Sequence, residues 1–120
     1  MEITKEEIIK GGEFITKETQ SDEIFTPEDF SEEQKMMRDA VKDFTDKEIW
    51  SKKHEFETHN YQLTADVMKK AGNLGFLGVN VPEEYGGLGM PFTSSMLVCD
   101  YISGSSGSTS TAFGAHTGIG

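Results

Sequence analysis

Charge all but stops two thirds of the way along this chain. Residues 1–60 carry 17 acids and nine bases, but from Gly86 to Gly120 the only charged residue is Asp100. A segment that holds so little charge has two outcomes in water: it is buried by something, or it associates through its apolar surface. The 13 glycines raise the 35% hydrophobic content to about 46%, inside the roughly 45–50% usual for globular domains. With 120 residues, eight Phe and a Trp, one modest core is feasible and a wholly disordered chain is not expected. The formal net charge of -10 disfavours nucleic acid as a partner, because phosphate binding needs a basic surface. The pairs Lys52-Lys53 and Lys69-Lys70 are expected on solvated helix faces. No run approaches the roughly 18–20 apolar residues of a membrane span, and the start Met1-Glu2-Ile3-Thr4-Lys5-Glu6-Glu7 is acidic where a signal peptide is basic. Cys99 is the single cysteine, so no intramolecular disulfide forms; a reducing, cytoplasmic setting and a buried, inert thiol are expected.

Spacing supplies the elements. Ile3, Ile8 and Ile9 outline a short amphipathic turn ended by Gly11-Gly12, and residues 13–30 follow without clear period as a leader lying over a larger body. Ser31-Glu32-Glu33-Gln34 reads as a capping box with two acids in the first turn, where the helix dipole favours them. Met37, Ala40, Val41, Phe44 and Glu48 continue at intervals of three and four, which predicts a helix to about Ile49-Trp50. His54 to Asn60 reads as a polar connection. Thr64 is the expected N-cap of a second helix bearing Val67, Met68, Ala71 and Leu74, with Gly75 at its end. Phe76 to Pro82 reads as extended, and Glu83 to Gly89 as a glycine turn needing positive φ. A third helix from about Pro91 to Ser103 is apolar on most sides, the pattern of a helix buried in a large body. Residues 103–120 hold five Ser, five Gly and three Thr, the composition of a linker, yet small residues also suit a tightly packed helix. No strand alternation and no repeat appears, so the expected class is all-α, a helical bundle.

Chemistry is sparse. His54-Glu55-Phe56-Glu57-Thr58-His59 falls short of a zinc-protease pattern, since the second His sits at i+5, about 140° away round a helix, instead of i+4. A metallohydrolase on these residues would need a third ligand, and none is evident. Tyr85-Gly86-Gly87-Leu88-Gly89 has neither the lysine nor the spacing of a phosphate loop, and Gly104-Ser105-Ser106-Gly107 lacks the spacing of a nucleophile elbow. His116 is expected to be a satisfied core residue. Glu32, Asp39, Asp43 and Asp46 are expected to face water, with no partner for acid–base work. The residues alone show no active site: catalytic none, flavin-binding none, metal none.

One stretch is more specific than its chemistry. Lys70-Ala71-Gly72-Asn73-Leu74-Gly75-Phe76-Leu77-Gly78-Val79-Asn80-Val81-Pro82-Glu83-Glu84-Tyr85-Gly86-Gly87-Leu88-Gly89 resembles the N-terminal signature of the acyl-CoA dehydrogenase family. Ser31 to Trp50 is similar to that family's opening helix. The ending Gly114-Ala115-His116-Thr117-Gly118-Ile119-Gly120, and the leader from Gly11 to Phe30, resemble its very-long-chain branch. Ser51 stands where many members carry a proline.

The resemblance implies a leader over residues 1–30 and an incomplete N-terminal helical domain over residues 31–120, the opening piece of a longer enzyme. It further implies FAD as the enzyme's cofactor, held mainly by middle and C-terminal domains, and a catalytic glutamate in the C-terminal one. No position here inherits either role, so the chain alone is expected to be inactive and free of flavin. The parent reaction would be α,β-dehydrogenation of an acyl-CoA thioester, with electron-transfer flavoprotein as acceptor and a homo-oligomer as the working form. Gly114, Thr117 and Gly118 resemble part of the acyl-chain pocket wall, a purely packing role being the other reading. The competing function is a free-standing acidic helical interaction module without catalysis.

Overall fold

The structure is a computed structural model that describes residues 8–119, among which there is no strand. It divides into two compact units between Glu32 and Glu33. Ile3 of the expected opening turn, and Gly120, lie outside the described residues.

The leading unit is built from short 3-10 turns, Glu13–Ile15, Ser21–Glu23 and Pro27–Asp29, and none of them buries a residue. Each is closed by a carboxylate that accepts a backbone N–H three residues earlier. Glu13 Oε2 takes that of Lys10 at 3.0 Å, Glu23 Oε2 that of Gln20 at 2.7 Å, and Asp29 Oδ2 that of Thr26 at 2.8 Å. These are charge-assisted bonds, stronger than neutral ones, and they give short turns an order that no core supplies. Pro27 opens its turn, a place where its missing N–H costs nothing. Phe25 and Phe30 meet edge to face at 5.4 Å.

In the main unit the expected first helix is α1 (Glu32–Glu48), and Val41 and Phe44 on its inner face are buried. Gln34 is buried too. Its amide nitrogen donates to Thr93 Oγ1 and Ser94 Oγ, each at 3.0 Å, a link between helices that the local capping pattern does not predict.

The polar connection is wrong in part. Lys53–Glu57 forms a short helix, α2, and turns Phe56 into the core. A single aromatic among charged residues gives no period to read, yet burying it contributes roughly 2–3 kcal/mol. The second helix, α3 (Tyr61–Asn73), begins before Thr64: Asn60 is the N-cap, its side chain accepting the Leu63 N–H at 3.1 Å. Asparagine caps as well as threonine, and capping from Asn60 gains a further helical turn.

Phe76 to Pro82 is not extended but winds through successive turns, with Gly78 N–H to Gly75 carbonyl and Val81 N–H to Gly78 carbonyl. This coiling lets both Phe76 and Val79 reach the core. The chain then folds back on itself. Leu88 N–H bonds the Gly78 carbonyl, Gly89 the Val81 carbonyl and Met90 the Val79 carbonyl, all at 2.9 Å. The expected positive φ is present at Gly86 and Gly89. At Gly87 the constraint is steric, since a Cβ there would overlap the Val81 carbonyl.

The third helix, α4, spans Phe92–Ser105 with Pro91 as N-cap. The Ser/Gly/Thr tail is ordered as α5 (Gly107–Gly114), continued by a π-helical turn over Ala115–Ile119. Of its two readings the packed helix holds, because Thr109 and Phe113 are buried and Phe113 joins the core. That core gathers Val41, Phe44, Ile49, Phe56, Val67, Ala71, Phe76, Val79, Val98, Ile102 and Phe113. Phe44 and Phe76 meet edge to face at 5.4 Å, the favoured geometry for paired rings.

Candidate functional site

Gly114, Thr117 and Gly118 fall together where α5 passes into the π-helical turn. A Cβ at Gly114 or Gly118 would meet no heavy atom within 4 Å, so both glycines border open space. Thr117 Oγ1 donates to the Phe113 carbonyl at 2.9 Å, which turns its polar end into its own helix and leaves the methyl as the outward part. The three residues make an apolar, side-chain-poor ledge.

What fixes the ledge is the start of α5. Ser106 is buried and caps the helix, its Oγ 3.4 Å from the Thr109 N–H it accepts and 3.4 Å from Glu57 Oε1. Ser110 Oγ donates to Ser103 Oγ at 3.0 Å, stitching α5 to α4. Thr109 Oγ1 is buried without a hydrogen-bond partner among the described residues. Cys99, expected to be buried, is half-buried, its Sγ 3.6 Å from Ser103 Oγ. His116 is exposed and not a core residue. In the π-helical turn it lies beyond the last buried residue, Phe113.

A second feature lies along α1. Two adjoining hollows, of about 360 and 320 Å³, share Ala40, Leu74 and Phe76. Met36, Met37, Leu88 and Met90 line the first, and Asp43, Lys47 and Glu48 border the second. Ala40, placed on the core stripe by its spacing, faces this groove instead. Leu74 is 56% exposed here and caps α3 without packing inward. Spacing alone did not reveal the groove, because it joins a helix face to a loop that returns from Leu88.

The charges at its edge are already matched. Glu48 accepts from Lys70 at 2.7 Å and from Lys52 at 3.0 Å, and these bonds, that of Lys70 foremost, hold its carboxyl below the usual range. Asp43 holds Lys47 at 2.7 Å. Asp39, Asp43 and Asp46 face water as expected. His54 lies on α2 while His59 lies past its end with φ of 64°, so the two do not share a helical face. Among the described residues no three His, Cys, Asp or Glu gather where one metal ion could be held.

Both hollows are walled by methionine, leucine, phenylalanine and carboxylates, and their one cation, Lys47, is held by Asp43. A dinucleotide cofactor needs donors for its pyrophosphate, which this lining does not offer. No helix among the described residues is long and apolar enough to cross a membrane.

Residues 31–120 match the family model described as acyl-CoA dehydrogenase, N-terminal domain. A probable acyl-CoA dehydrogenase of Bacillus subtilis is 40% identical over 114 residues, 95% of this chain and 19% of that protein. The mitochondrial isovaleryl-CoA dehydrogenase of Pongo abelii is 34% identical over 90 residues, 74% of this chain and 21% of that one. The crystal structure of an acyl-CoA dehydrogenase complexed with FAD from Bacillus anthracis superposes with a TM-score of 0.82 at 42% identity, over 92% of this chain and 19% of that chain. The chain thus spans about a fifth of the length of the relatives it matches.

Proposed function

The chain belongs to the acyl-CoA dehydrogenase family, through that family's N-terminal helical domain, and from this premise we propose that it supplies one wall of the acyl-chain site in a flavin-dependent enzyme. The observation that carries the reading is the ledge of Gly114, Thr117 and Gly118, which borders open space on a fold shared with an FAD-complexed acyl-CoA dehydrogenase. The substrate is an acyl-CoA thioester, which loses hydrogen across its α and β carbons. FAD supplies the hydride acceptor when bound, and electron-transfer flavoprotein takes the electrons onward. The working form is a homo-oligomer in the cytoplasm. Residues 1–30 form a leader to a helical domain that residues 31–120 contribute in part.

This chain's own task is to shape and dry the pocket. Two glycines without side chains leave length for an acyl tail, and the Thr117 methyl offers it an apolar contact. Each additional methylene buried against such a wall contributes about 0.8 kcal/mol. Room at positions 114 and 118 supports membership of the very-long-chain branch. We read the catalytic base and the main flavin-holding residues as belonging to other parts of the enzyme, a reading under which this chain is inactive alone.

The test is a chain-length profile of the whole enzyme. Gly114→Phe and Gly118→Phe are expected to lower kcat/KM for long acyl-CoA substrates by about tenfold or more, while short ones keep theirs. A uniform loss at every length, or none, would assign these positions to packing.

A further inference from the structure

No further inference is drawn: the strongest candidate, the apolar groove between α1 and the Leu74–Met90 segment, is an unpartnered face whose bordering carboxylates Asp43 and Glu48 already hold Lys47, Lys52 and Lys70, and nothing in the structure shows what covers it.

Discussion

A side chain at position 87 would have to enter the space that the Val81 carbonyl fills, and the returning strand of chain cannot give way without losing the bonds at Leu88, Gly89 and Met90. Gly87→Ala is therefore expected to destabilise the protein by about 3 kcal/mol, a fall in Tm on the order of 15 °C. Gly104 is the control. It sits in α4, where a Cβ meets nothing within 4 Å, so Gly104→Ala is expected to raise Tm by about 3 °C through the usual alanine preference of helices. A thermal melt of both variants decides it; equal effects would remove the steric account of the turn. The two glycines look alike in a sequence. Their difference comes from residues brought near by folding, Val81 in one case and none in the other. Phe56 is the converse: its burial depends on a cavity among other helices and leaves no trace in its polar neighbours.

At the scale of elements, the leading unit stands on carboxylates, not on a core. Glu13 is held below the ordinary carboxylate range, first by its hydrogen bond to Lys17 and then by the Lys10 N–H. A carboxyl depressed in the folded state contributes fully above its unfolded value, about 4.3, and that contribution is lost as pH falls through the lower folded value. Glu28 is depressed as well, chiefly by the Thr26 hydroxyl, and follows the same direction. Acidification below about pH 4 is therefore expected to loosen the turns that Glu13 and Glu28 hold while the α1–α5 body persists. Amide exchange checks this: the Lys10 N–H, held by Glu13, should lose protection before those of α3, and simultaneous loss would show that the turn draws its order from elsewhere. The long helices were legible because Met37, Val41 and Phe44, and then Val67 and Ala71, repeat at helical spacing. The stretch from Phe76 to Pro82 was not, since its apolar run fits a strand and only its hydrogen bonds reveal turns.

For the whole molecule, the charge-poor last third has a partial explanation. Some of it is buried within this chain, through Leu97, Val98, Ile102 and Phe113, but Phe92 remains 65% exposed, Met96 50% and Ile119 90%. Exposed apolar side chains of this size drive association. The purified chain is expected to bind a hydrophobic dye and self-associate, and Phe92→Glu with Met96→Glu is expected to reduce both. Sedimentation and dye titration of the paired variant measure this; association unchanged by it would move the contact to another surface, such as the groove along α1. The family was legible from Lys70 to Gly89, where Gly75, Gly86 and Gly89 take positive φ and Gly87 has no room for a side chain. Gly114, Thr117 and Gly118 were singled out only through resemblance, since glycine and threonine carry no chemical mark of a binding wall.

The role proposed for this chain is to shape an acyl site while flavin and catalytic base are held elsewhere in the enzyme. It is tested most directly by incubating the purified 120-residue protein with FAD, removing unbound cofactor, and recording the flavin spectrum and the acyl-CoA-dependent reduction of an artificial electron acceptor. The predicted result is no retained flavin absorbance and no reduction. Stoichiometric FAD with sustained turnover would contradict it.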